Sequence, residues 1–178
     1  MILLAADPCP SSGAILLEGG RVVWKGTVRD PGLIRSTVAH ALELAEMRLG
    51  RRDLLEVAME TWQGLKLDPH HEAAGAWKHE LALQGYPVER VERYLAVSWQ
   101  KTVHGTIPKK GPRFDAWLRL RGLERRPSKS RGDDIKLATK KKVEHLYRVQ
   151  LRDTEQGDAL GIAHAHRIAK GELERRSA

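Results

Sequence analysis

The stretch "MILLAADPCPSSGAILLEGGRVVWKGTV", residues 1 to 28, holds three apolar runs separated by turn chemistry. The first run closes on Asp7, and "PCPSSG" follows with the Pro, Ser and Gly residues that bend a chain. The second and third are joined by Gly19-Gly20, a dipeptide that supplies the positive φ values a tight hairpin needs. Residues 1 to 28 therefore read as a three-stranded antiparallel meander, with Asp7 at the carboxyl end of its first strand.

Further along, the period of the apolar pattern changes. "PGLIRSTVAHALELAEMRLG" places Val38, Leu42, Ala45 and Leu49 on a helical stripe that Gly50 ends. "DLLEVAME" reads as a strand ending at Glu60, followed by the loop "TWQGLKLDP". A second helix, about 70 to 83, precedes Gly85; "YPVERVERY" reads as a strand from Val88, and "LAVSWQKTVHG" as a short helix. The order β-β-β-α-β-α-β-α gives an α/β protein with a mixed five-stranded sheet flanked by helices. A Pro-, Gly- and Arg-rich segment at about 106 to 134 interrupts it, read as a long basic loop carrying a short helix at "RFDAWLRLRGL". Two helices, about 135 to 151 and 154 to 170, finish a chain expected to form a single domain over residues 1 to 178.

Composition narrows the partners. No apolar run of 18 residues exists, and the start "MILLAADPCP" lacks the basic n-region of a signal peptide, so the expectation is a cytoplasmic protein with no membrane contact. A single cysteine, Cys9, excludes an internal disulfide and a multi-cysteine zinc site. The net charge of +8 is concentrated: between Lys101 and Arg152 sixteen Lys or Arg face five Asp or Glu, in "PKKGPR", "RLRGLERRPSKSR" and "KLATKKK". A local excess points to a polyanion-binding surface, with a solvated disordered loop as the competing account of "LERRPSKSRGDD".

The candidate chemistry is carboxylate chemistry. Asp7 and Glu60 each end a strand, and sites in open α/β sheets gather at carboxyl ends of strands. In "RDTEQGDALGIAHAH", residues 152 to 166, a helix would put Glu155 and Asp158 on one face about a turn apart. The simpler alternative is that acids in a first turn complement the helix dipole, with Asp153 or Thr154 as cap. Four converging carboxylates would repel and raise one another's pKa, so such a cluster demands cations. An all-oxygen donor set suits Mg²⁺ or Mn²⁺ and not zinc. His164 and His166, two apart, face different sides of a helix and read as core or surface polar residues. No GxxxxGK[ST] run is present, so no nucleotide cofactor is indicated.

In this order and spacing, "LLAADPCPSSGAILLEGGRVVWKG", "VAMETW", "QKTVHG", "TKKKVEHL" and "TEQGDALGIAHAH" resemble the motifs of RuvC-type Holliday junction resolvases, nucleases of the ribonuclease H-like superfold. The resemblance covers most of the chain. It implies that Asp7, Glu60, Glu155 and Asp158 bind two Mg²⁺ ions per active site, with Mn²⁺ as a substitute, and that Lys140 is the active-site lysine of the basic helix. Lys101 is a second lysine candidate, shifted by one position. It further implies a homodimer that nicks four-way DNA junctions symmetrically, with the helix bearing His70, His71, Trp77 and His79 at the dimer interface. Lys101, Lys109, Lys110, Arg113, Arg119, Arg121, Lys140, Lys141, Lys142 and Trp62 are then the expected DNA contacts. The chain departs from the family in having Glu155 where Asp is commoner, in the longer segment before the basic helix, and in the position of Trp62. Two alternatives remain open: a nuclease for other branched or RNA-containing structures, and a non-catalytic structure-selective DNA-binding protein.

Overall fold

Gly19 and Gly20 turn the chain with φ of 53° and 86°, the geometry of a type I′ hairpin, and they join β2 (Ser12–Glu18) to β3 (Arg21–Val28). The strand before them, β1 (Ile2–Asp7), pairs antiparallel with β2. In the computed structural model, which describes residues 1–51, 54–61, 69–124 and 130–173, this meander is one side of a five-stranded sheet of order β3-β2-β1-β4-β5. β4 (Leu55–Thr61) lies parallel to β1, and β5 (Glu92–Leu95) parallel to β4. Among the described residues six α-helices accompany the sheet: α1 (Ile34–Leu49), α2 (Pro69–Leu83), α3 (Ala96–His104), α4 (Pro112–Arg119), α5 (Arg131–Tyr147) and α6 (Thr154–Ala169).

Side chains on a strand alternate between faces, and here both faces are covered. Ile2, Leu4, Ala6, Leu16, Val57 and Met59 pack against Val38, Leu42 and Ala45 of α1 and Trp77 and Leu81 of α2. Leu3, Ala5, Ile15, Leu17 and Ala58 pack on the other side against Trp99 and Val103 of α3, Val143 of α5, and Leu160, Ile162 and Ala163 of α6. All six residues of β1 are buried, as expected of a central strand between two helical layers. Trp77 is fully buried and donates its indole N–H to Ser12 Oγ at 3.1 Å, so within the chain it serves as a core residue rather than an exposed anchor.

The short helix expected within the basic segment is present as α4, and it is packed rather than carried on a solvated loop. Phe114, Trp117 and Leu118 of α4, with Leu123, pack on Ile135 and Ala138 of α5 to form a third apolar cluster. α5 begins at Arg131 instead of about 135, because Ser130 and Asp133 form a capping box that fixes its first turn. It ends at Tyr147 instead of 151, where Arg148 enters the left-handed region. The strand expected from Val88 starts at Glu92, after a 3-10 turn over Val88–Arg90. Among the described residues no helix is long and apolar enough to cross a membrane.

Candidate active site

The register of β1 and β4 ends with Ala6 opposite Met59, which sets Asp7 beside Glu60 at the carboxyl ends of adjacent parallel strands. Asp7 shares a face with Leu3 and Ala5, and Glu60 with Ala58, so both acids point toward the layer that holds α6. Opposite Asp7 on the antiparallel side stands Gly13. A Cβ there would lie 2.0 Å from the carbonyl oxygen of Glu155, so the missing side chain is what lets the first turn of α6 settle against the strand end.

Capping of α6 falls to Asp153. Its side chain accepts from the Gln156 N–H at 3.1 Å and from Thr27 Oγ1 at 2.8 Å, while Gln156 Nε2 donates to Thr27 Oγ1 at 3.0 Å. This network ties the helix start to β3. Asp158 lies in the second turn and is 2% exposed, where complementing the helix dipole does not account for it. Gly157 and Gly161, one turn apart, admit the other helices: a Cβ on Gly157 would meet Cβ of Lys140 at 2.8 Å, and one on Gly161 would meet the Trp99 ring at 2.7 Å.

These close approaches bring Lys136 and Trp99 to the acids. Lys136 Nζ is 3.3 Å from Asp158 Oδ2, and Trp99 donates its indole N–H to Glu60 Oε2 at 2.6 Å. The buried Cys9 sulfur lies 3.8 Å from Asp7 Oδ2, while the Ser11 carbonyl, which takes its one thiol hydrogen, is closer at 2.5 Å. Burial is the chief cause that raises the pKa of all three strand- and helix-borne acids. Asp7 is raised by burial although Lys136 and His70 pull it down, with Glu155 adding repulsion. Glu60 is pushed up to about 7 by burial and by the charge of Asp7, and Asp158 well above its ordinary value by burial and Asp7. Burial opposes the charge on Lys136, but Asp158 and Asp7 outweigh it and hold this lysine above its ordinary value.

Two buried acids, Asp7 and Asp158, and the half-buried Glu60 thus share the one half-buried ammonium of Lys136, which cannot neutralise them all. As the side chains stand, no three ligands among the described residues converge closely enough to hold an ion. The residues nevertheless suit a hard divalent cation. The donor set is carboxylate oxygen, and Asp158 Oδ1 is buried with no hydrogen-bond partner, an orphaned acceptor of the kind a metal satisfies.

The other expected site residues separate into groups. Glu155 is half-buried, accepts from Thr154 Oγ1 at 3.2 Å and lies close enough to Asp7 to raise its pKa. Lys140 does not face the acids; it pairs with Glu144 at 3.2 Å one turn along α5. Lys101, Lys109, Lys110, Arg113 and Arg119 are exposed. Lys141 is exposed and donates to the Gly122 carbonyl at 2.9 Å. Lys142 is half-buried and donates to the Val103 carbonyl. Arg121, expected on DNA, turns inward: its guanidinium covers the Trp117 ring at 3.9 Å and bonds the Trp117 carbonyl at 3.0 Å. It therefore stabilises the α4 cluster. Trp62 lies outside the described residues.

His166 is fully buried and held by Glu56 at 2.6 Å and Tyr94 at 3.0 Å. Burial, with the charges of Lys142 and Arg167, lowers the pKa of His164 to about 4. Neither histidine shares a ligand set with the acids.

The sequence reading missed Lys136, and a signal for it existed. Lys136 stands three and seven residues before Thr139 and Val143, on the buried stripe of α5 with Ile135 and Ala138, and a lysine on a core-facing stripe requires a buried carboxylate.

Among solved structures the chain is similar to Thermus thermophilus RuvC in complex with Holliday junction substrate, at a TM-score of 0.59 and 16% identity over 97% of this chain and 96% of that one. The chain has the RuvC fold. A second structure of Thermus thermophilus RuvC aligns at a TM-score of 0.57 and 17% identity, over 96% of this chain and 97% of that one. No protein-family model and no curated protein matches the sequence. The RuvC fold is of the ribonuclease H-like, mixed five-stranded kind, and its sheet and α6 are the elements that present Asp7, Glu60 and Asp158 here.

Proposed function

We propose that this protein is a Mg²⁺- or Mn²⁺-dependent endonuclease that resolves four-way DNA junctions by paired nicking. The observation that carries this reading is that Asp7 and Glu60 stand side by side at one end of a RuvC-fold sheet, with Asp158 near enough to interact with both charges and its Oδ1 buried and unsatisfied. A resolved RuvC relative is bound to Holliday junction substrate, and the exposed Lys109, Lys110, Arg113 and Arg119 give this chain phosphate-neutralising charge.

Asp7, Glu60 and Asp158, joined by Glu155, would hold two divalent ions, which when bound supply a water of lowered pKa and stabilise charge on the leaving oxygen. Trp99 orients the Glu60 carboxylate through its N–H, and Lys136 restrains Asp158. The role the family assigns to its active-site lysine passes from Lys140 to Lys136, whose ammonium already sits among the acids and would meet a nonbridging phosphate oxygen. Two copies of this single-domain chain give two active sites, matching the two symmetric cuts a junction needs.

Labelled four-way junction, replication fork, RNA-containing duplex and linear DNA duplex, each incubated with and without Mg²⁺, test the reading. Symmetric nicks in the junction that require the ion support it. Cutting confined to forks or RNA-containing duplex moves the substrate, and junction binding without any cutting leaves only a binding protein.

A further inference from the structure

On the helical layer, nine residues along α6 from Asp158 and so roughly 13 Å away, an open groove of about 1490 Å³ runs between the carboxyl-terminal halves of α3, α5 and α6. It shares no residue with the acidic site. Lys101, Lys142, His145, Arg148 and Arg167 line it, against one carboxylate, Glu172. Glu172 is already committed to Arg167 at 2.9 Å. Among the described residues no carboxylate lies within ion-pair distance of Lys101, Lys142 or Arg148.

Arg148 adds an independent observation. It is the one described non-glycine residue with positive φ, at 51°. It occupies the left-handed position after α5, and its N–H bonds the Glu144 carbonyl. Glycine meets that backbone requirement without steric cost, and an L side chain does not. The chain nevertheless carries an exposed guanidinium there, on the groove wall.

We infer that this groove is a second phosphate-binding surface, which seats the sugar-phosphate backbone of a DNA arm away from the acidic site, with Arg148 and Lys101 as its principal contacts. The inference rests on the reading of the chain as a junction nuclease. Lys101, Lys142 and Arg148 bring like charges to one groove, and after burial the charge of Lys142 helps to depress the His164 pKa. A polyanion would relieve that repulsion, and phosphate contacts of this kind position a duplex without reading its sequence.

Arg148→Gly separates the functional role from a structural one, because the two roles predict opposite behaviour. The substitution removes the strained side chain, so the melting temperature should stay level or rise by up to ~4 °C. Fluorescence anisotropy with a labelled junction, without divalent metal and across a KCl series, should show weaker binding and a log–log salt slope flatter by up to about 0.9. Lys101→Ala, at an exposed position, should flatten the slope similarly. Wild-type affinity and slope in both variants would overturn the groove, whatever the melting temperatures. Cleavage by the wild-type protein with Mg²⁺, measured beside these titrations, tests the nuclease reading separately, since a protein that binds but does not cut still reports on the slope.

Discussion

The two ends of α6 bury polar groups in opposite ways. Near its carboxyl end, His166 is fully enclosed, with one ring nitrogen on Glu56 and the other on Tyr94. Near its amino end, Asp158 is equally enclosed, yet one oxygen contacts Lys136 and the other contacts nothing. A buried polar group with every partner in place contributes to structure, whereas one left short of partners by its own fold points to a ligand. The difference also separates stability from activity, and substitutions at the two ends should affect one or the other.

The largest effect is expected at the amino end. Asp7→Asn, Glu60→Gln and Asp158→Asn should each lower metal-dependent junction cleavage at least ~100-fold, the scale on which loss of one preorganised electrostatic group is felt. Junction binding without metal should hold or tighten, since the acids repel phosphate. Near wild-type cutting by any two of the three would erase the contrast between the ends of α6.

Lys136 and Lys140 sharpen it next. Lys136→Met strips the acids of their internal counter-ion, and in metal-free buffer should cost about 1–3 kcal/mol, below the range for a fully buried pair because this lysine is partly exposed. Cleavage should fall roughly tenfold, on the scale of a lost charge-assisted contact. Lys140→Met removes an ordinary one-turn pair with Glu144 and should cost about 0.3–0.5 kcal/mol. Chemical denaturation of both variants and single-turnover cleavage rates check the ranking; equal effects would return the active-site role to Lys140.

At the carboxyl end, His166→Leu should destabilise by about 1–3 kcal/mol, by leaving Glu56 and Tyr94 short of a partner. Cleavage measured well below the melting temperature should persist. A selective loss of cutting in a stably folded His166→Leu would show that the satisfied end also takes part in chemistry.

The last contrast is one of pH dependence. Glu60 titrates at about 7 in the fold against 4.5 as its ordinary value, chiefly because it is buried. A raised carboxyl pKa means the folded state holds the proton more tightly, so the contribution of Glu60 to stability is full below about 4.5 and is lost as pH rises through about 7. Metal-free Glu60→Gln should therefore lose less stability than wild type between those pH values. Parallel curves for the two proteins would contradict a raised Glu60 pKa.

Much of this site was legible in the sequence because strand ends are. Asp7 and Glu60 close apolar runs that read as strands, and Glu155 and Asp158 stand three apart in a helical pattern, so alternation and helical period place each pair, while the approach of the helix to the strand ends depends on packing at Gly13. The helical stripe of α5 hints that Lys136 has a carboxylate partner, but which acid it meets, and that Trp99 meets Glu60, depend on how closely α5 and α3 approach Gly157 and Gly161 of α6. The α4 cluster was hidden for another reason. Phe114, Trp117 and Leu118 have helical spacing, but Pro, Gly and Arg around them mimic a solvated loop. Arg121 contributed to that impression of a solvated charge, although it stacks on Trp117.

Thermal melting of the wild-type protein and of Asp158→Asn at pH 8, each with and without Mg²⁺, bears most directly on whether the unsatisfied end of α6 is a metal site. At about 100 times its dissociation constant a bound ion stabilises a fold by roughly 2.7 kcal/mol, so the wild type should melt about 5–10 °C higher with Mg²⁺. Asp158→Asn should show little or no rise. No shift in the wild type, or the same shift in both proteins, would contradict the assignment of Asp158 and its neighbours as the ligands.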